Sequence, residues 1–150
     1  MLGKKRRAYL SPACLSIKPR PMRASFLMAR NIGRVHEPEN FTNIGLSNSP
    51  DVAHHGTHII VQCFPLLTYI AAFRFPIIDY LSLDVEGNEM DILETIPFNL
   101  VDIKTLSVEY THTKKNRNYM MKFMEDYGYY VHSFINHPDN LANDIIFVKK

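Results

Sequence analysis

The first 58 residues show no steady alternation of apolar and polar positions, and they predict short strands rather than helices. Residues 7–15 fit a strand that is interrupted at Pro12, because proline cannot donate a ladder hydrogen bond. Residues 22–28 fit a second strand, and a turn followed by a return strand at 34–36 predicts a hairpin. Residues 37–56 are rich in Asn, Ser, Pro, Gly and His, so we expect an exposed loop there.

From residue 59 onward the pattern is regular, and strand-like segments alternate with helix-like ones. Five apolar runs predict strands, and three segments with apolar residues at helical spacing predict helices. The predicted strands cover 59–64, 77–84, 103–110, 129–135 and 144–148, and the predicted helices cover 65–73, 88–96 and 113–127. This order is typical of an α/β domain whose parallel sheet finishes in an antiparallel hairpin.

The strand at 103–110 is the clearest case of period-two alternation. Leu106 and Val108 alternate with Ser107 and Glu109 along the predicted strand. Successive side chains of a strand point to opposite faces of the sheet, so we expect one buried face and one polar face.

Two predicted helices differ in how their apolar residues are spread. The helix at 65–73 is apolar nearly all round, so we expect it to be buried or covered by a protein partner. The helix at 113–127 carries its apolar residues on one side, which is typical of core packing. Thr113 is its predicted N-cap, and Gly128 is placed to end it.

The composition is that of one globular domain. The chain has 150 residues, of which 46% are apolar and 21% charged, so it can bury a single core and is not disordered. We expect a β-rich, irregular part at 1–58 and an α/β core at 59–150. The net charge of +2 neither favours nor excludes a nucleic-acid partner. The basic run at 4–7 is more typical of a solvated terminus, so we predict no nucleic-acid partner.

No membrane anchor is predicted. The N-terminus is basic but lacks the apolar stretch of a signal peptide. Residues 59–78 form the longest apolar segment, but Gln62, Pro65, Arg74 and Pro76 favour a strand, a turn and a helix over a membrane span. We therefore expect a soluble chain.

Two cysteines leave the redox state open. Cys14 and Cys63 could form one disulfide in an oxidising compartment or remain as two buried thiols. Asn40 begins a glycosylation sequon, a pattern that often occurs by chance. Both features would fit a lumenal or extracellular protein, and the compartment stays unassigned.

Acidic residues cluster at the end of the predicted strand 77–84, namely Asp84, Glu86 and Glu89. Parallel strands deliver such side chains to the carboxyl edge of a sheet, where ligands bind. Asp84 or Glu86 could orient an acceptor nucleophile or take its proton, and both could hold a metal with Glu89. The plain alternative is that Asp84 caps the next helix and Glu86 faces solvent. We favour a catalytic and cofactor-binding role for Asp84 and Glu86, and we assign no metal ligand.

Glu109 ends the next predicted strand, where it could join this site or pair with a lysine at the sheet edge. His112 follows and could exchange protons at neutral pH, although a loop histidine without a role is the commoner case. His54, His55 and His58 include a pair at zinc-binding spacing, but no cysteine or carboxylate ligand lies near them. We predict Glu109 as a catalytic residue and no metal at the histidines.

Residues 79–87 (DYLSLDVEG) resemble the signature of FkbM-type S-adenosylmethionine-dependent methyltransferase domains. Other segments are similar to the arthropod branch of that family, which includes the Star-like proteins. These segments are 7–16 (RAYLSPACLS), 61–66 (VQCFPL), 95–98 (TIPF) and 108–110 (VEY). The resemblance therefore extends over nearly the whole chain.

The resemblance implies a Rossmann-like class I methyltransferase fold with S-adenosylmethionine as its cofactor. It places Asp84 and Glu86 at the mouth of the fourth strand of that fold, beside the cofactor and the acceptor. It places Glu109 at the end of the following strand, facing the same crevice. The antiparallel hairpin predicted at the end of the chain also agrees with that fold.

One departure from the family pattern concerns the cofactor. Such domains hold the nucleoside with an early strand, a glycine-rich turn and an acidic residue after the second strand. Gly3, Gly33, Gly45 and Gly56 are isolated here, so these N-terminal cofactor-binding strands are expected to be missing. We expect a methyltransferase-like domain that is truncated and inactive by itself. The alternatives are a non-catalytic Star-like domain for protein interaction and membrane trafficking in the ER, Golgi and endosomes, or a fragment without function.

Overall fold

The fold contains eight strands and three helices within residues 8–29, 32–36, 57–74, 77–113, 115–137 and 143–150, which a computed structural model describes. The strands are β1 (Cys14–Leu15), β2 (Met22–Ala29), β3 (Ile32–His36), β4 (Thr57–Phe64), β5 (Ile77–Leu83), β6 (Asp102–Glu109), β7 (Tyr129–Asn136) and β8 (Asn143–Lys149). The helices are α1 (Leu66–Phe73), α2 (Glu89–Leu93) and α3 (Arg117–Asp126). The predicted loop at 37–56 lies outside the described residues.

The first sheet has the strand order β1-β4-β2-β3. β2 pairs antiparallel with both β3 and β4, and β1 pairs parallel with β4. The predicted hairpin of β2 and β3 is confirmed. The strand predicted at 7–15 is wrong in extent, because only Cys14 and Leu15 pair and Pro12 lacks the donor that would continue the ladder. β4 belongs to this sheet, so the prediction that it joins the strand at 77–84 in one parallel sheet is also wrong.

The second sheet has the strand order β5-β6-β8-β7. β5 and β6 are parallel, and β8 lies between β6 and β7 and is antiparallel to both. The chain is thus an α/β protein with two mixed sheets. The predicted antiparallel hairpin of the last two strands is confirmed, whereas the parallel part of this sheet is a single strand pair.

The hydrophobic core lies on the second sheet. Its largest completely buried side chains include Ile103, Leu106 and Phe147. The face of β6 that carries Ser107 and Glu109 is polar, as predicted, but both side chains are buried, at 2% and 5% exposure. Both faces of an interior strand can be covered, so the alternation of apolar and polar residues does not show which face is exposed to solvent. Both polar side chains have hydrogen-bond partners: the hydroxyl of Ser107 donates to Asp144 at 2.6 Å, and Glu109 accepts from the backbone N–H of Thr111.

α3 shows how a local capping signal decides where a helix begins. The side chain of Asn116 accepts a hydrogen bond from the backbone N–H of Tyr119 at 2.9 Å, so Asn116 is the N-cap. The prediction of Thr113 as the cap is wrong, because its hydroxyl donates to the carbonyls of Tyr110 and Lys115 instead. Gly128 follows the helix with φ of +85°, a conformation that glycine adopts without strain, which confirms its role as terminator.

α1 is less covered than its sequence predicts. None of its residues is fully buried, although Leu66 and Ile70 pack against the core. On its outer side, Phe73 contacts the ring of Tyr9 with 4.7 Å between centroids. The chain itself therefore covers only part of this helix; of the two alternatives, burial is wrong and cover by a protein partner stays a prediction. In the described part of the chain, no helix has the length and apolarity that crossing a membrane requires.

Cys14 and Cys63 form a disulfide, with 4.4 Å between their Cα atoms. They are register partners in the parallel pair of β1 and β4, so the two side chains face each other. The sequence left the choice between a disulfide and free thiols open, and the strand register explains the outcome.

Candidate functional site

The site begins where β5 ends and the chain turns into α2. Glu86 and Gly87 both have positive φ, at 56° and 104°, so two successive left-handed residues reverse the chain. This conformation strains Glu86 but suits Gly87, which has no Cβ. Asn88 precedes α2 and donates its side-chain amide to the carbonyl of Val35 at 2.9 Å. The turn is thereby attached to the first sheet.

Glu89 stabilises this turn from inside. Its side chain is completely buried, and Oε1 accepts hydrogen bonds from the backbone N–H groups of Val85 at 2.9 Å and Gly87 at 3.0 Å. The other carboxylate oxygen, Oε2, is buried without a hydrogen-bond partner. Burial raises the pKa of Glu89 from 4.5 to about 7, and the nearby charge of Glu109 adds to the increase. The two backbone N–H groups act in the opposite direction, because they stabilise the ionised form.

Glu109 lies beside Asp84 because of the register of two parallel strands. Leu83 is the Cα partner of Val108, so the next residues, Asp84 and Glu109, reach the same edge of the sheet. Glu109 accepts a hydrogen bond from the backbone N–H of Thr111 at 2.7 Å. The predicted convergence of Asp84 and Glu109 is therefore present in the structure.

His112 connects two of the acids. Its Nδ1 lies 3.3 Å from Oε1 of Glu109 and 3.5 Å from Oε2 of Glu86. Neither contact has hydrogen-bond geometry, so Nδ1 is buried without a hydrogen-bond partner. Glu86 is only a quarter exposed, so the alternative of a fully solvated Glu86 is wrong. The alternative of a lysine partner for Glu109 is wrong too, since His112 takes that place.

Three carboxylates converge at the edge of the second sheet, and we call them the acidic cluster: Asp84, Glu89 and Glu109. One oxygen from each lies within 4.8 Å of the others. Glu89 and Glu109 are buried, whereas Asp84 is exposed and reachable from solvent. Asp84 does not cap α2, because the N-cap is Asn88, and that alternative is also wrong.

A pocket of about 210 Å³ lies against Asp84, between the first sheet and the β5–α2 turn. Leu15, Ile17 and Phe26 form part of its apolar wall, and Asn88 adds a second polar group beside Asp84. A larger groove of about 350 Å³ between α3 and β7 contains none of the acidic cluster. Of these two pockets in the described part of the chain, the pocket at Asp84 would place a bound molecule beside the acids.

Two residues of this site have a larger structural role than the sequence predicts. The sequence suggests Glu89 only as an optional metal ligand. The signal that indicates a larger role is its position as an acid at the start of a helix. For His112 the sequence favours a loop histidine without a role, although it lies three positions after Glu109. His54 and His55 lie outside the described residues, as does the side chain of His58, so the prediction of no metal there stays a prediction.

The fold and this site define an α/β domain with carboxylates gathered at the end of a parallel strand pair. The sequence matches the methyltransferase FkbM domain family over residues 20–131, which is more than half of the 150-residue chain. The chain belongs to that family, and the predicted resemblance is confirmed at this level. No curated protein and no solved structure matches the chain significantly.

Proposed function

We propose that this chain is an S-adenosylmethionine-dependent methyltransferase domain whose site is the carboxyl edge of β5 and β6. Membership of a methyltransferase family supports the reaction class. The observation that carries the location is the register of β5 and β6, which sets Asp84 and Glu109 side by side next to a pocket. Ligands of open α/β sheets bind outside the carboxyl ends of the strands, where these acids lie.

We assign the fold to the Rossmann-like class I type. Three features support the assignment: β5 and β6 are parallel, α2 lies on the crossover between them, and β7 and β8 close the sheet as an antiparallel hairpin. A parallel pair joined through a helix is the basic unit of such sheets.

The residues present fit the cofactor only in part. Asp84 and Asn88 offer polar groups, and the apolar wall of the pocket suits a flat aromatic base. However, about 210 Å³ is below the roughly 300 Å³ at which small-molecule sites usually begin. The sequence also contains no Gly-x-Gly turn to approach a nucleoside closely. We therefore propose that this chain by itself binds S-adenosylmethionine weakly and does not turn it over.

We expect each acid to have a different role, which depends on how exposed its side chain is. When bound, S-adenosylmethionine supplies an electrophilic methyl group to an acceptor nucleophile. Asp84 is exposed, so it can contact both ligands and orient the acceptor. Glu86 is partly exposed beside His112, where an acceptor proton could be received. Glu109 is buried, and it would act by holding His112 in place.

Calorimetric titration tests the cofactor assignment. We expect saturable binding of S-adenosylmethionine with Kd on the order of 10⁻³ M, corresponding to about −4 kcal/mol. Asp84→Asn should weaken it about tenfold, while Asp79→Asn, an exposed acid on the same strand, should leave it unchanged. Absence of binding at millimolar cofactor, or equal binding by both variants, would contradict the proposal.

A non-catalytic role in the secretory and endosomal pathway is the second candidate, in line with the resemblance to Star-like proteins. The disulfide between Cys14 and Cys63 supports it, because such bonds persist in oxidising compartments. Thiol titration of protein isolated under alkylating conditions is the test. We expect no reactive thiol, whereas two reactive cysteines per chain would remove the support for this compartment.

We also propose that a protein partner contacts the outer face of α1, where Leu67 and Phe73 are each 38% exposed. Hydrogen exchange of residues 66–73 should be slower in the cellular complex than in the purified chain. Identical exchange in the two samples would rule out such a partner.

A further inference from the structure

We propose that the acidic cluster of Asp84, Glu89 and Glu109 binds one divalent, oxygen-preferring cation, and that Ca²⁺ fits it best. This proposal revises the prediction from sequence, which assigned no metal ligand. It goes beyond the proposed methyl transfer and does not depend on it, because it is argued from the arrangement of the carboxylates alone. The site would be formed by three different elements: the end of β5, the start of α2 and the end of β6.

The spacing of the oxygens allows one cation to contact all three acids. One oxygen of each acid lies within 4.8 Å of the others. Ca²⁺ binds oxygen at about 2.3–2.6 Å, so two oxygens on opposite sides of one ion can be about 4.6–5.2 Å apart. Mg²⁺ binds at about 2.0–2.1 Å, which limits that separation to about 4.2 Å. Because 4.8 Å is an upper limit, the three oxygens are close enough to share one ion, and Ca²⁺ suits them better because its coordination is flexible, whereas Mg²⁺ is usually held by only one or two carboxylates.

The independent observation is the state of Glu89. Its side chain is completely buried, and one carboxylate oxygen has both backbone donors while Oε2 has none. A buried polar atom without a partner is unfavourable, and each such atom in a native protein calls for an explanation such as an ion. Because Glu89 is itself a member of the cluster, a cation bound there would lie close to this unpartnered oxygen.

The charge balance points the same way. Within the part of the chain that the structure describes, no lysine or arginine forms an ion pair with Asp84, Glu89 or Glu109. His112 is the basic side chain described next to the cluster, and among the three acids it contacts Glu109. Neighbouring carboxylates repel each other strongly when they are partly buried. A divalent cation would reduce that repulsion.

The site would remain open on one side. Glu89 and Glu109 are buried, but Asp84 is exposed, so a bound cation would keep water or a ligand oxygen on the solvent side. Three protein carboxylates are fewer than the six to eight oxygens that Ca²⁺ usually takes. We therefore expect modest affinity, with Kd on the order of 10⁻⁴ M, in the range of weak protein sites.

Thermal unfolding and calorimetry of the whole chain, freed of metal by a chelator, test the proposal. A cation that binds only the folded state raises Tm, and at a hundredfold excess over Kd we expect a rise of roughly 5 °C or more with Ca²⁺. Sodium chloride at equal ionic strength is the control for screening. No saturable heat and no rise beyond that control would overturn the proposal.

Variants identify the ligands. Asp84→Asn, at an exposed position where folding is not at risk, should weaken Ca²⁺ binding at least tenfold, and Glu89→Gln should do the same. Asp79→Asn is the matched control and should bind like the wild type. Equal binding by Asp84→Asn and the wild type would overturn the proposal.

Discussion

The two sheets of this molecule are stabilised in different ways. Around the second sheet, buried apolar side chains from β5 to β8 form one continuous cluster. On the first sheet, among the side chains that the structure describes, only Ala24 and Cys63 are apolar and fully buried. The first sheet depends instead on its hydrogen-bond ladders and on the disulfide that joins β1 to β4. The second sheet thus combines a regular apolar pattern in the sequence with dense packing. The first sheet lacks both, and a disulfide offsets their absence.

The strongest test of this comparison removes a core side chain from the second sheet. Phe147 on β8 is 1% exposed, so Phe147→Ala should lower the free energy of unfolding by up to about 5 kcal/mol. Urea denaturation measures the loss. Ile60→Ala on β4 is the control, because Ile60 is 48% exposed and should cost less than about 1 kcal/mol. Similar losses at the two positions would show that packing is not confined to the second sheet.

The next test removes the disulfide of the first sheet. The bond closes a separation of 49 residues, and the chain-entropy relation gives up to about 4 kcal/mol for a loop of that length. The double variant Cys14→Ala with Cys63→Ala should lose stability of this order in urea denaturation. Reduced wild type should behave in the same way. A loss below about 1 kcal/mol would mean that the first sheet is held by contacts beyond the bond.

A third test sharpens the description of the packed region, where Glu89 is buried at a cost that depends on pH. Its folded pKa of about 7 lies above the ordinary value of 4.5, so the folded state binds this proton more tightly than the unfolded state does. The stabilising effect is complete below about pH 4.5, declines as the pH rises, and is lost above about pH 7. The total decline is up to about 3 kcal/mol.

Stability measured from pH 4.5 to 8 in the presence of a chelator checks this prediction. Glu89→Gln keeps an oxygen that can accept the backbone N–H bonds but carries no charge, so its curve should lack the decline. Glu94→Gln, an exposed acid just after the same helix, should retain it. Parallel curves for the wild type and Glu89→Gln would contradict the role of burial.

The smallest expected effect concerns the local signal that starts α3. Asn116→Ala removes the acceptor of the Tyr119 N–H, so it should cost about 1 kcal/mol. Asn116→Ser keeps a capping oxygen and should cost less, which separates capping from a general effect of substitution. If Thr113→Ala were the more damaging change, the helix would begin where the sequence pattern predicted it.

The sequence predicts the second sheet better than the first. Elements of the second sheet were identified because apolar spacing, Gly128 and the chain order are local signals. The length of β1 was not, since two paired residues leave almost no pattern. The residues of the polar face of β6 are predictable, but the burial of Ser107 and Glu109 is not, because it depends on what covers the strand. The alternation of apolar and polar residues in a sequence does not show which neighbouring elements cover a strand.

The site was predictable where strand ends determine it. Asp84 and Glu109 follow from two parallel strands in register. The position of Glu89 depends on the left-handed turn at Glu86 and Gly87, which directs two backbone N–H groups to one carboxylate. A sequence shows the residues of such a turn but not its direction. The contact of His112 with Glu86 likewise depends on the tertiary structure, because it joins the segment after β6 to the turn after β5.

The bond between Cys14 and Cys63 makes a closed ring of the chain between them. A protease that cuts that ring once adds the mass of one water and leaves a single molecule, since both pieces stay attached through sulfur. Electrophoresis would show two fragments only after a reducing agent is added. A sugar attached at Asn40, which lies within the ring, would likewise remain with the whole molecule after such a cut.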